Sequence, residues 1–182
     1  MLISFTGAQS TGKSTLLERM VSDAKFRKCT FIKEVTRKVA RQGVQINDKG
    51  NNLTQLLIIN EHINNHLLKG CNVLDRCIID GLIYTEWLYR QDKVDKWVFE
   101  YAQNVHDMLI DKVDVVLYTD PSDVPLVDDG ERSVNNQFRQ DIIDMYSDYF
   151  EWHPKVWQRT RVLSGSVDDR MKQILTIFKD NE

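Results

Sequence analysis

Residues 2–17 read LISFTGAQSTGKSTLL. The apolar run Leu2 to Phe5 breaks at once into a glycine-bearing loop, after which Leu16, Leu17 and Met20 recur at helical spacing. That order predicts strand, loop, helix. Inside it, Gly7-Ala8-Gln9-Ser10-Thr11-Gly12-Lys13-Ser14 fits GxxxxGK[ST] residue for residue, with the strand before and the helix after that the motif requires. Gly7 and Gly12 permit backbone angles and a close approach that a Cβ blocks, so successive amide N–H groups of Gln9, Ser10, Thr11 and their neighbours can converge on a β-phosphate. Lys13 is then expected to bridge the β- and γ-phosphates, Ser14 to ligate Mg²⁺, and Thr15 to lie near the α-phosphate. The stretch predicts a nucleoside triphosphate site.

Outward from this motif, short apolar strands alternate with helical patterns. Strands are expected at Thr30–Lys33, Cys71–Asp75, Val113–Thr119 and Arg161–Ser164. Between and after them, helical periodicity covers Thr36–Arg41, Leu53–Leu68, Ile79–Tyr89, Lys93–Ile110, Val134–Trp152 and Val167–Lys179, the fifth stopping before Pro154. Asn47–Asn52 and Pro121–Glu131 are polar and rich in turn residues. Continuous apolar strands separated by helices imply a mainly parallel five-stranded sheet covered on both faces, a three-layer α/β/α fold. At 182 residues the chain is expected to form a single domain.

Bulk properties narrow the function further. No apolar run reaches the roughly 18 residues that cross a bilayer, and residues 1–20 lack a signal-peptide pattern, so a cytoplasmic protein is expected. Cys29, Cys71 and Cys77 are odd in number and lack CxxC spacing, so buried thiols are expected instead of a disulfide framework or a zinc ribbon. A formal net charge of −3 argues against the broad basic surface that nucleic-acid backbones require, although it leaves room for a local basic cleft. His62 and His66, four apart, read as a structural pair, since HExxH is absent and Asn64 and Asn65 offer no third metal ligand.

Three further groups lie at the carboxyl ends of expected strands or in the polar segment: Glu34-x-x-Arg37, Asp75-Arg76 within VLDRCIID, and Asp128-Asp129-Gly130-x-Arg132. With the loop at Gly7 to Thr15, these elements in this order resemble the P-loop nucleoside and nucleotide kinases. More narrowly, the chain is similar to the ribosylnicotinamide-kinase domain of the NadR type and its related small AAA-named kinases. Arg76 departs from the second acidic group more usual there and follows the Asp-Arg of thymidylate-kinase-like proteins, which leaves the acceptor open.

The resemblance implies a P-loop NTPase fold whose small lid spans about 121–139. ATP is expected as donor, with no guanine-specific NKxD pattern after Val113–Thr119, and Mg²⁺ as its metal, held by Ser14 and Asp75. It implies a nucleoside-like or nucleotide-like acceptor contacted by Glu34, Arg37, Asp75, Arg76 and Arg139. Glu34 and Asp75 are rival bases for an attacking hydroxyl. Arg132 is expected to reach the transferring phosphate when the lid closes, and Gly165 to border the adenine. Two other readings remain: a kinase acting on a polynucleotide end or a modified base in DNA, and a nucleotide-dependent switch without an acceptor.

Overall fold

A computed structural model describes residues 1–33, 35–122 and 135–179. Five strands, β1 Leu2–Thr6, β2 Cys29–Ile32, β3 Cys71–Leu74, β4 Val115–Thr119 and β5 Thr160–Leu163, form one sheet in the order β2-β3-β1-β4-β5. All four pairings are parallel, with Ile3 opposite both Val73 and Val115. The helices in chain order are α1 Lys13–Val21, α2 Val35–Ala40, α3 Asn52–His66, α4 Ile78–Arg90, α5 Lys96–Leu109, α6 Asn136–Trp152, α7 Pro154–Gln158 and α8 Val167–Lys179.

Alternation along each strand sends side chains to opposite faces. Ile3, Phe5, Val73, Val115 and Leu117 pack with Leu16, Leu17 and Met20 of α1 and with Met171 and Ile174 of α8. Leu2, Leu74 and Val116 face the other way, into a larger core built from α3, α4, α5 and α6. Both faces are therefore apolar and covered, as parallel strands require, and the result is a three-layer α/β/α fold. The chain runs from β1 toward the β2 edge and from β4 toward the β5 edge. The strand order thus reverses between β1 and β4, and the loops leaving those strands flank the crevice where such sheets place ligands.

Two expectations fail here. β2 starts one residue earlier than its apolar pattern suggests, which sets Cys29 opposite Cys71 in the β2–β3 register with Cα atoms 4.6 Å apart. The two are joined as a disulfide, and only Cys77 is a buried thiol. Helix α6 begins at Asn136, not Val134, because Asn135 adopts an extended conformation and caps it by accepting the Phe138 N–H. Pro154 stops α6 as expected and then opens the short α7, which periodicity alone does not reveal. Among the described residues, no helix is long and apolar enough to cross a membrane.

Candidate active site

The loop between β1 and α1 is shaped by three left-handed residues, Gly7 at φ 131°, Ser10 at φ 57° and Gly12 at φ 86°. Gly7 has no freedom to be anything larger: a Cβ there would lie 2.8 Å from Thr119 Oγ1 and 3.1 Å from the Thr119 carbonyl oxygen. Thr11 ties the loop to β4, its hydroxyl 2.6 Å from that of Thr119 and donating to the Ala8 carbonyl at 3.0 Å. Gly12 caps α1, whose first turn carries no acidic residue of its own, and the positive helix end faces the loop.

Lys13 is buried and folded onto the loop. Its Nζ donates to the Gly7 carbonyl at 2.8 Å, to the Ala8 carbonyl at 2.5 Å and to Thr11 Oγ1 at 3.1 Å. One residue on, Ser14 Oγ donates to Asp75 Oδ2 at 3.1 Å, joining the start of α1 to the end of β3. A hydroxyl and a carboxylate oxygen side by side beside an anion cradle are hard donors of the kind Mg²⁺ takes near nucleotide phosphates. The residues fit that ion. Gln9 is buried and accepts the Tyr84 hydroxyl at 3.2 Å, while Thr15 is exposed on α1.

Arg76 is held by charge. Its guanidinium donates to Asp80 Oδ1 at 2.6 Å and to the Gly7 carbonyl at 3.2 Å, and lies 5.1 Å from the centre of the Tyr84 ring. Asp80 in turn accepts from Thr6 Oγ1, from the Tyr146 hydroxyl and from the Cys77 N–H, at 2.8, 2.8 and 3.2 Å. Burial, with Asp80 adding to it, pushes the Tyr146 phenol well above its ordinary pKa, so it stays a donor to that carboxylate. Asp80 escapes the sequence reading, yet its place in the first turn of the helix that follows Asp75-Arg76, four residues after Arg76, was the available signal.

A fully buried arginine from α8 closes the other side. Arg170 donates to the Thr11 carbonyl at 2.8 Å, to the Asp120 carbonyl at 3.0 Å and to the Gly165 carbonyl at 3.0 Å, tying together the loops after β1, β4 and β5. Gly165 itself is left-handed at φ 86°, and Ser166 caps α8 by accepting the Asp169 N–H at 3.2 Å. Arg139, in the first turn of α6, reaches the Gln9 carbonyl and the Pro121 carbonyl, both at 3.3 Å.

Two cavities flank α2. A cleft of about 460 Å³ contains Ser14, Asp75 and Arg37 together. A much smaller cavity of about 20 Å³, room for little more than one water, is bounded by Thr36, Gln55, His62, Arg76 and Tyr84. The structure therefore brings together Gly7, Gln9, Ser10, Thr11, Gly12, Lys13 and Ser14 in one loop, with Asp75, Arg76, Arg139 and Gly165 around it and Arg37 across the cleft. Glu34 and Arg132 lie outside the described residues, as does most of the lid expected at 121–139. Trp87 donates to Asp141 Oδ2 at 2.9 Å and packs on Phe138, while Tyr84 lines the small cavity.

A family model described as an AAA domain matches residues 2–170. No curated protein sequence matches the chain. Among solved structures, deoxyadenosine kinase from M. mycoides with bound products aligns over 100% of both chains at 14% identity and a TM-score of 0.76. NadR protein in complex with NAD and AMP-PNP aligns over 98% of this chain at 16% identity and TM-score 0.69; the chain spans 48% of that protein. Thymidylate kinase from Candida albicans aligns over 99% of this chain and 91% of its own, at 18% identity and TM-score 0.60.

Proposed function

The chain belongs to the AAA-domain family, and from that premise we propose that it is an ATP-dependent kinase transferring the γ-phosphate of Mg·ATP to a small nucleoside-like or nucleotide-like acceptor. The observation that carries this reading is the contact of Ser14 with Asp75 beside the loop that folds around Lys13. It joins a polyphosphate cradle to a second strand-end carboxylate, which a phosphate-binding loop alone does not require. The kinases whose folds it resembles support the same reading.

In this reading the β-phosphate sits on the loop amides, and Lys13 exchanges its bonds to the Gly7 and Ala8 carbonyls for β- and γ-phosphate oxygens. Ser14 and Asp75 hold the metal. When bound there, Mg²⁺ supplies charge neutralisation at those oxygens. The acceptor oxygen forms a bond to the γ-phosphorus as the bond from that phosphorus to the β,γ-bridging oxygen breaks, and ADP leaves. A hydroxyl acceptor gives its proton to a carboxylate, with Glu34 and Asp75 as the two candidates. Arg37 and Arg76 border the acceptor's space, and Arg132 and Arg139 serve the closing lid.

The test is ADP release from Mg·ATP over a panel of nucleosides, nucleotides and ribosylnicotinamide, with Lys13→Ala as blank. Acceptor-dependent release at least tenfold above that blank is expected; equal rates in the two proteins overturn the assignment.

A further inference from the structure

The 460 Å³ cleft does not end at Ser14 and Asp75. It continues along α2, where Lys33, Arg37, Lys38 and Arg41 line it opposite Glu18 and Glu61. Lys38 occupies Glu61, with its Nζ 2.7 Å from both carboxylate oxygens. Among the described residues Lys33 and Arg41 form no ion pair, and both are exposed to the cleft side of a chain whose net charge is −3. Cations gathered in one cleft of a chain with net negative charge, beside the Ser14–Asp75 contact, make that cleft a place that attracts an anion.

We infer that this cleft binds a phosphate group carried by the acceptor, so the acceptor is a phosphate ester of a nucleoside and not an uncharged nucleoside. The inference rests on the kinase reading and deepens it. An anionic acceptor approaching the anionic γ-phosphate is repelled unless fixed cations offset the charge, and Lys33, Arg37 and Arg41 lie where that charge arrives. If the acceptor's phosphate is itself the nucleophile, its oxygen carries no proton at neutral pH and needs neutralisation, not a base. If the acceptor is a strand end, the same cleft holds its first phosphodiester while the hydroxyl reacts. The shared chemistry is the phosphate ester; a free mononucleotide and an oligonucleotide are its two sources.

The experiment compares a nucleoside, its 5′-monophosphate and a tetranucleotide of the same base with a free 5′-hydroxyl. ADP release is measured with Mg·ATP, and binding with a non-hydrolysable ATP analogue. A phosphate-bearing member is expected to show a KM or Kd at least tenfold below that of the nucleoside, rising severalfold between 50 and 200 mM salt, about the range over which phosphate contacts are screened. Preference for the monophosphate or the tetranucleotide assigns the source, and either supports the inference. In Lys33→Gln/Arg41→Gln that advantage should shrink at least fivefold while Mg·ATP affinity stays within twofold; the salt dependence of the unaltered protein gives the same answer without relying on a variant. Equal use of nucleoside and phosphate ester, or binding of neither in the presence of the ATP analogue, overturns it and leaves the kinase reading to its own test. Loss of Mg·ATP binding itself is the separate result that removes both.

Discussion

At Gly7 a single missing carbon decides whether the phosphate loop can close. Its φ of 131° strains any L side chain, and the Thr119 carbonyl 3.1 Å from the would-be Cβ belongs to a paired central strand that cannot move aside. Gly7→Ala is expected to cost about 1–3 kcal/mol of stability and to weaken Mg·ATP binding at least tenfold by calorimetry. Gly43 is the control: it is also left-handed, at φ 82°, but has open space around it, so Gly43→Ala should leave the affinity unchanged. A second residue-scale expectation concerns His62, which is buried and drawn down to about 3 by burial, with His66 and Arg76 adding to it. A histidine neutral in the folded chain but titrating at about 6.5 when unfolded binds protons preferentially in the unfolded state. Its contribution, on the order of 5 kcal/mol, is full above pH 6.5 and is lost as pH falls from there toward 3. Urea unfolding at pH 5 and pH 7 should show the loss, and His62→Gln should flatten the slope; an unchanged slope removes His62 as its source.

Elements carry the contrast between what could and could not be read from sequence. The β1–α1 motif was legible because its backbone demands and its residue types coincide over eight consecutive positions. Strand and helix alternation was legible for the same local reason. Asp75 could be placed at a strand end, but its partner Ser14 lies 61 residues away, and Arg170 meets Thr11 across 159, distances at which periodicity is silent. The Cys29–Cys71 bond was hidden by a boundary only one residue out, because parallel register, not cysteine spacing, sets the pair opposite each other. That bond links the edge strand β2, which leads into α2 and the cleft, to its sole neighbour β3. Closing a loop of 42 residues, it restricts the unfolded chain by roughly 4 kcal/mol in the chain-entropy account. Thiol titration in denaturant should find one reactive thiol in oxidised protein and three after reduction, with the unfolding midpoint lowered in the reduced form. Three thiols without reductant would show that the bond does not form.

For the molecule as a whole, the loops after β1, β4 and β5 are bound into one rim by Arg170, while Arg139 of α6 and Arg76 of the β3–α4 turn fasten the Gly7–Gln9 segment. A ligand seated on that rim touches elements from both halves of the sheet, so its binding energy opposes global unfolding and not the fraying of one loop. Mg·ATP at about a hundred times its dissociation constant should therefore add about 2.7 kcal/mol, raising the Tm by roughly 5–11 °C for a chain of this size. Lys13→Ala should abolish most of that increment, whereas Lys33→Gln/Arg41→Gln, altered only along the cleft, should keep it. Removal of the metal with a chelator tests the Ser14–Asp75 pair separately: the increment should fall in unaltered protein but change little in Asp75→Asn, which has already lost the carboxylate charge. If Asp75→Asn responds to chelation as the unaltered protein does, the metal is held elsewhere and the carboxylate at the end of β3 is left with the acceptor as its remaining role.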